Sequence, residues 1–170
     1  MINSYHGAAK FVFAMAAVLG AMLVSPIMAQ AQSDIVGTWN VKEFYQLVTS
    51  TNEKRYILGE NPLGMLIYTK GGQFCTTIAA ADRKQAANAP TDAERVKLHN
   101  SMFSYCGTYK TEGNLLTYKS LSAWMPSYVG TERKSKFEVS GNTLTTQSMP
   151  FKSSLDNVEV VGVLKYERME

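Results

Sequence analysis

Hydrophobic and polar residues alternate along most of the chain after residue 35, in short runs separated by Gly, Pro, Asn and Asp. Alternation with a period of two residues is typical of β-strands that bury one face. In the first run, 36–49, one set of alternate positions is largely apolar and is predicted to point inward. This set consists of Trp39, Val41, Glu43, Tyr45 and Leu47.

Further runs of the same kind predict the remaining strands. They cover 54–58, 65–69, 73–79, 105–110, 115–123, 131–139, 143–148 and 158–168. Tight turns such as Gly71-Gly72 and Gly141-Asn142 join several of them as hairpins. The pattern therefore favours an all-β fold, an antiparallel up-and-down β-barrel of about eight to ten strands, over a Greek-key sandwich, because closure removes exposed sheet edges.

One short helix interrupts the strands. The segment Thr91-Asp92-Ala93-Glu94 is a capping box, in which the Thr91 hydroxyl accepts from the Glu94 backbone N–H and the Glu94 side chain reaches back. It predicts a helix over 92–103. The expected packing residues of this helix are Val96, Leu98, Met102 and Phe103.

The first 31 residues differ in composition from the rest. A short segment with one Lys and no acidic residue precedes an apolar run of fourteen residues, 11–24, and then Ala29-Gln30-Ala31. This layout is typical of a cleaved signal peptide. We predict a signal peptide over 1–31, export to the periplasm or the cell exterior, and one domain over 32–170. An uncleaved membrane anchor is the alternative, although the run is shorter than the roughly 18 residues of a transmembrane helix.

Charge and motifs narrow the range of partners. The chain has 17 basic and 14 acidic residues, and one Lys lies within 1–31, so the mature part carries a net charge of +2. That charge gives no reason to expect nucleic-acid binding, and no stable membrane insertion is expected after signal removal. No metal-ligand spacing and no Gly-rich phosphate loop occurs, so neither a metal nor a cofactor is predicted. The oligomeric state is left open.

Two cysteines, Cys75 and Cys106, remain in the predicted mature chain. Export would place them where disulfides persist, so a bond between them is possible. The alternative is that both are small buried core residues.

Four ordered motifs give the mature chain a resemblance to a known family. The first strand opens with Gly37-Thr38-Trp39, the G-x-W signature of lipocalins. The other three are Gly59-Glu60-Asn61-Pro62-x-Gly64-x-Leu66-Ile67-Tyr68-Thr69, Tyr105-x-Gly107-Thr108-Tyr109 and Pro126-x-Tyr128-Val129-Gly130-Thr131-Glu132. Together they resemble the bacterial and fungal lipocalin-like domain family. The resemblance implies a barrel with a closed bottom, an open mouth and an interior cavity.

The resemblance also implies how the barrel floor is closed. In lipocalins an Arg from a late strand stacks on the Trp of the first strand in a cation–π contact. Arg168 has the strand parity of the inward-facing positions and is expected to stack on Trp39. The chain departs from the family pattern at Ser135, where many relatives carry Arg, and at Tyr118, where a His is common, so chemistry that depends on those residues is not expected here.

The predicted interior is rich in tyrosine, which suits an aromatic or amphipathic ligand with one polar end. An eight-stranded barrel either holds one small ligand or is filled by its own side chains, so core packing is the alternative role of these rings. The predicted ligand-binding residues are Glu43, Tyr45, Tyr68, Tyr109, Trp124, Tyr128, Arg133 and Phe137.

Two of these residues are charged. Strand parity places Glu43 and Arg133 on inward faces, and an unpaired buried carboxylate is costly. One hypothesis is that the two lie near each other and contact the polar group of the ligand; the alternative places both at the barrel ends in solvent. Trp124 and Tyr128 belong to a loop that forms either a lip over the mouth or a plug.

The preferred function is therefore an exported protein that binds a small hydrophobic or aromatic molecule in the barrel. The first alternative is a small barrel enzyme of isomerase, cyclase or hydrolase type that uses a Tyr and Glu43 in the same cavity. The second is a structural or interaction barrel with a filled core.

Overall fold

Antiparallel strands dominate the computed structural model, which describes residues 34–84, 89–153 and 156–170. The predicted signal peptide, 1–31, lies outside the described residues. A helix, α1, covers Asp92–Asn100, and a 3-10 turn covers Pro126–Tyr128. The strands are β1 Gly37–Val48, β2 Lys54–Arg55, β3 Leu63–Tyr68, β4 Gln73–Ala79, β5 Met102–Glu112, β6 Leu115–Ala123, β7 Glu132–Ser140, β8 Thr143–Ser148, β9 Phe151–Lys152 and β10 Glu159–Arg168.

Eight of these strands form a closed barrel. Their order is β1-β3-β4-β5-β6-β7-β8-β10, and β10 pairs with β1 to complete the ring. The two-residue strands β2 and β9 extend the pairing of β1 and β10 beyond the points where β3 and β8 stop. The antiparallel up-and-down barrel predicted from the sequence is confirmed.

The beginning and the end of the described chain meet at the barrel floor. Trp39 and Arg168 are opposite each other on β1 and β10, and the guanidinium carbon lies 4.1 Å from the Trp39 ring centre. Arg168 also donates to the carbonyl oxygens of Val36, at 2.8 Å, and Asp34, at 2.6 Å. The indole N–H of Trp39 donates to the carbonyl oxygen of Ile35 at 2.9 Å. The expected stacking is therefore present, and Trp39 is completely buried.

A β-bulge in β1 changes which side chains face the interior. Val41 is opposite Tyr166 on β10, but Glu43 is opposite Lys165, so Lys42 has no partner there. One extra residue shifts the alternation by one position. The predicted inward orientation of the positions after the bulge is wrong. The residues that point outward instead are Glu43, Tyr45 and Leu47, and those that point inward are Phe44, Gln46 and Val48.

A second bulge, between β5 and β6, turns Ser120 into the interior, where it is fully buried. Gly107 is opposite Ser120, and Leu121 is left without a partner on β5. A Cβ atom at Gly107 would collide with the carbonyl oxygen of Lys119. Glycine is therefore required at this close approach of the two strands.

Helix α1 begins with the predicted capping box. Glu94 N–H donates to the Thr91 hydroxyl at 3.3 Å, and Thr91 N–H donates to the Glu94 carboxylate at 2.7 Å. The helix ends at Asn100, earlier than predicted, because β5 already starts at Met102. Val96 is 59% exposed, so its predicted packing role is wrong. No helix within the described ranges is long and apolar enough to cross a bilayer.

Cys75 on β4 and Cys106 on β5 are opposite each other, with their Cα atoms 4.0 Å apart, and form a disulfide. Their neighbours Phe74 and Thr76 point inward, so the bond lies on the outer surface of the barrel. It joins the two strands that flank α1.

Replacing Arg168 with Met should lower the free energy of unfolding by about 2–3 kcal/mol, because it removes the cation–π contact and the donors to two carbonyl oxygens. Urea denaturation at pH 7 measures this difference. Arg95→Met is the matched control, since Arg95 is an exposed helical residue, and its loss should change stability by less than about 0.5 kcal/mol. An equally small effect of Arg168→Met would contradict the role of Arg168 at the floor.

Replacing both Cys75 and Cys106 with Ala should lower the free energy of unfolding by about 3–4 kcal/mol. The bond closes a loop with a sequence separation of 31 residues, and its removal returns chain entropy to the unfolded state. Denaturation with and without reductant tests this: reductant should destabilise the wild type by the same amount and leave the double variant unchanged. Equal effects of reductant on both proteins would rule out the disulfide as the cause.

Candidate ligand-binding site

The barrel encloses a cavity of about 660 Å³ above the sealed floor. Its wall is mainly aromatic and aliphatic. The wall residues that belong to barrel strands include Phe44, Leu66, Tyr68, Phe74, Phe103, Tyr105, Leu116, Tyr118, Leu164 and Tyr166. The rim at the other end is formed by residues outside the barrel strands, which include Ile57, Leu58, Asn100, Trp124, Met125 and Tyr128.

Aromatic rings cover one side of the cavity upward from the floor. The Tyr68 ring centre lies 4.7 Å from that of Tyr109 and 6.2 Å from that of Phe74. Phe74 in turn meets Tyr105 at 5.7 Å and Tyr118 at 5.5 Å, both edge to face. Edge-to-face pairs are a favoured aromatic geometry, so this wall is well packed and leaves its apolar faces toward the cavity.

The loop after β6 forms a lip at the rim. The Trp124 indole N–H donates to the carbonyl oxygen of His99 at 3.1 Å, and the two rings stack at 5.4 Å. Trp124 also packs edge to face on Tyr128 at 5.7 Å. The lip is thereby attached to helix α1. Of the two alternatives for this loop, a lip describes its position better than a plug, because both rings line the outer part of the cavity.

Arg133 is a charged residue of the cavity wall. Its guanidinium carbon lies 3.9 Å from the ring centre of Tyr128, 4.7 Å from that of Tyr105 and 5.2 Å from that of Tyr118. Its Nη2 donates to the Ser120 hydroxyl at 3.3 Å. Among the described residues that line the cavity, none is Asp or Glu and no other is Lys or Arg. Within the described residues, the cavity wall therefore carries a single positive charge.

Small polar groups occupy the part of the wall that extends from β7 across β8 and β10 to β1. The Gly162 N–H donates to the Ser148 hydroxyl at 2.9 Å, and Ser148 is opposite Ser135 on β7. Gln46 is opposite Gly162 and is 7% exposed. Its Oε1 is enclosed and has no hydrogen-bond partner within the described part of the chain.

Burial keeps the interior tyrosines protonated. Desolvation raises the pKa of Tyr68, Tyr105 and Tyr166 well above the usual value of 10.0. The charge of Arg133 acts in the opposite direction on the pKa of Tyr105, but desolvation is the larger effect. These phenols are therefore neutral hydroxyl groups and not tyrosinate bases at ordinary pH.

Glu43 lies outside the cavity because of the bulge in β1. Its carboxylate is 2.7 Å from Lys165 Nζ and 3.8 Å from Lys54 Nζ, and it accepts from the Tyr56 hydroxyl at 3.1 Å. The hydrogen bond from Lys165 contributes most to holding the pKa of Glu43 below its ordinary value of 4.5. The predicted meeting of Glu43 and Arg133 is wrong, since the two lie on opposite faces of the sheet.

The structure divides the other predicted ligand-binding residues among three environments. Those that line the cavity are Tyr68, Trp124, Tyr128 and Arg133. Those that are buried in the core without lining it are Tyr109 and Phe137. Tyr45 lies on the outer face, where Lys54 Nζ is 4.4 Å from its ring centre, so its predicted place in the interior is wrong.

Several wall residues were missed by sequence reasoning: Phe44, Gln46, Tyr105, Tyr118 and Tyr166. Phe44 and Gln46 were assigned to the wrong face because the bulge precedes them, and the period-two pattern does not reveal a bulge. The three tyrosines were detectable, because each shares strand parity with predicted interior residues of its own or a paired strand.

A closed barrel with a sealed floor, an internal cavity and a rim of loops defines a ligand-binding β-barrel. The chain belongs to the lipocalin-like domain family, whose family model matches residues 36–169. The sequence motifs had indicated this family, and the match confirms it. No curated protein matches the chain significantly.

Replacing Glu43 with Gln should lower the free energy of unfolding by about 1 kcal/mol at pH 7. A carboxyl whose pKa is lowered by folding stabilises the protein above its unfolded pKa and loses that effect as pH falls through the folded value. The difference between wild type and variant should therefore be smaller at pH 3 than at pH 7.

Urea denaturation at both pH values measures this effect, with Glu138→Gln as the control because Glu138 is exposed on the outer face of β7. A difference for Glu43→Gln that stayed the same at both pH values would show that the carboxylate charge is not its cause.

Proposed function

We propose that the protein is an exported carrier that binds a small hydrophobic or aromatic molecule inside its barrel. The observation that supports this most directly is the cavity of about 660 Å³ with its aromatic and aliphatic wall. Membership of the family supports a ligand-binding barrel in general. The apolar and aromatic side chains of the wall favour hydrophobic or aromatic ligands.

The size of the cavity argues against the filled-core alternative. Ligand sites of small molecules have volumes of about 300–1,000 Å³, and this cavity lies within that range. Moving apolar surface from water onto such a wall is favourable by roughly 25 cal/mol per Å². An apolar molecule of matching size would therefore gain most of its binding free energy from burial.

The chemistry of the wall argues against the enzyme alternative. That hypothesis requires Glu43 as an acid or base in the cavity, whereas Glu43 forms ion pairs on the outer surface. Desolvation raises the pKa of the cavity tyrosines Tyr105 and Tyr166, which keeps them protonated and makes them weak acids. The cavity wall in the described residues offers no carboxylate for general acid–base catalysis.

Export is supported by two independent features. The layout of residues 1–31 is typical of a signal peptide. The disulfide between Cys75 and Cys106 fits an oxidising compartment, since such bonds are rare in reducing cytosol.

Binding of a neutral apolar dye tests the carrier hypothesis. N-phenyl-1-naphthylamine should become fluorescent on binding the wild type. Replacing Ser135 with Phe should weaken this binding by roughly tenfold or more, because Ser135 lines the cavity and a phenyl ring there would occupy ligand space.

Ser122→Phe is the matched control, because it adds the same ring at an exposed position of β6 outside the cavity. Ser122→Phe should bind the dye as the wild type does. If the dye binds neither to the wild type nor to the control, or if Ser135→Phe binds it equally well, the interior site is disproved. If the dye results support the interior site, native mass spectrometry of protein purified from its own host, followed by extraction, would identify the natural ligand.

A further inference from the structure

The two arginines that stack on aromatic rings differ in what their polar edges contact. Arg168, at the floor, stacks on Trp39 and donates to two backbone carbonyl oxygens at 2.6 and 2.8 Å. The protein itself therefore supplies acceptors for that guanidinium. Arg168 therefore serves as a reference for a stacked arginine whose role is structural.

Arg133 has one hydrogen-bond acceptor in the described part of the chain, against two for Arg168. Its protein hydrogen bond runs from Nη2 to the Ser120 hydroxyl at a long 3.3 Å. Its Nε is buried and has no hydrogen-bond partner in the described part of the chain. Tyr105, Tyr118 and Tyr128 offer ring faces to the cation, but ring faces do not replace hydrogen-bond acceptors for the N–H groups.

The charge of Arg133 also lacks a counterion among the described residues. Each ion pair found there involves other cations, and the cavity wall has no carboxylate. Arginine stays protonated in proteins, and a partly buried cation without an anionic partner is unfavourable. An anion in the cavity would supply the missing negative charge, and it would accept from the N–H groups of the Arg133 Nη atoms and not from the enclosed Nε.

We infer that the ligand is an organic acid, with an apolar or aromatic body against the ring-lined wall and one oxyanion group against Arg133. This inference rests on the proposed carrier function and adds the chemical class of the ligand. A carboxylate or sulfonate accepts from the cavity-facing edge of the guanidinium and neutralises its charge. The inner wall below accommodates the apolar body.

The position of Arg133 sets the orientation of the ligand. Arg133 and the ring of Tyr128 lie near the rim, whereas Phe74 and Tyr68 lie deeper toward the floor. The acid group therefore faces the rim and the apolar end enters first. This orientation leaves the oxyanion solvated until late in binding, which limits the desolvation cost of entry.

Two dyes that share one skeleton test the inference. N-phenyl-1-naphthylamine is neutral, and 8-anilino-1-naphthalenesulfonate carries an added sulfonate. Fluorescence titration of the wild type should give at least roughly tenfold tighter binding of the sulfonate, the factor expected for a charge-assisted hydrogen bond. In Arg133→Gln this preference should disappear, so that the affinities for the two dyes should differ by no more than about twofold.

Lys134→Gln is the matched control. It removes one positive charge from the adjacent position of the same strand, but Lys134 is exposed on the outer face. It should leave the affinities for both dyes unchanged. This result would show that the preference for the sulfonate comes from contact with Arg133 and not from the net charge of the protein. Arg133→Lys keeps the charge without the guanidinium fork and should retain part of the preference.

A competition experiment needs no variant. Decanoate and 1-decanol have the same chain length and differ in the ionised group. Decanoate should displace N-phenyl-1-naphthylamine from the wild type at roughly tenfold lower concentration than 1-decanol. This result would also show that the site binds a carboxylate as well as a sulfonate.

The outcomes separate the two proposals. If the neutral dye binds but the sulfonate binds no more tightly and decanoate competes no better than 1-decanol, the anion inference is overturned and the carrier function stands. Equal loss of both dyes in Arg133→Gln, with a lowered melting temperature, would identify Arg133 as a structural support of the tyrosines and also overturn the inference. If no probe binds to the wild type, the carrier function itself fails.

Discussion

The pairing of β1 with β10 is the interaction on which the rest of the structure depends, because it turns an open sheet into a closed barrel. Trp39 and Arg168 seal that seam at the floor, where the guanidinium stacks on the indole and donates to the backbone that leads into β1. A sealed floor directs the cavity toward the opposite rim. The closed end fixes the direction from which a ligand enters. The lip and Arg133 therefore lie near the entrance, and the aromatic wall extends below them toward the floor.

The bulge at Lys42 decides the electrostatics of the interior. Without it, Glu43 would point into the barrel, and the cavity would contain a carboxylate able to pair with a cation. With it, Glu43 meets Lys165 and Lys54 on the outer surface, and the neutral amide of Gln46 faces the cavity in its place. One inserted residue therefore places the Glu43 carboxylate and the Arg133 guanidinium on opposite faces of the sheet. Arg133 is then the charged residue of the cavity wall among the described residues.

The resulting cavity combines an apolar wall with one charged side chain, Arg133. The aromatic surface favours binding but does little to orient a ligand, since the hydrophobic effect is not directional. A guanidinium among three tyrosines supplies direction, since its N–H groups have defined geometry. This division of roles suits a carrier, which must hold a molecule in one orientation and release it unchanged, better than an enzyme, which needs reactive groups of matched pKa.

The sequence by itself determined the strand periodicity, the hairpin turns, the capping box at Thr91 and the family motifs, and these were enough to predict the barrel and the stacking of Arg168 on Trp39. Local patterns carry that information because each depends on residues close together in the chain. Only the tertiary structure decided the faces of Glu43, Tyr45 and Gln46, because a bulge arises from the pairing of β1 with a strand over a hundred residues away. The contacts of Arg133 with Tyr105, Tyr118 and Tyr128 were also not predicted from the sequence. Strand parity could place the rings of Tyr105 and Tyr118 in the interior, but their positions around the guanidinium depend on the packing of β5, β6, β7 and the turn after β6.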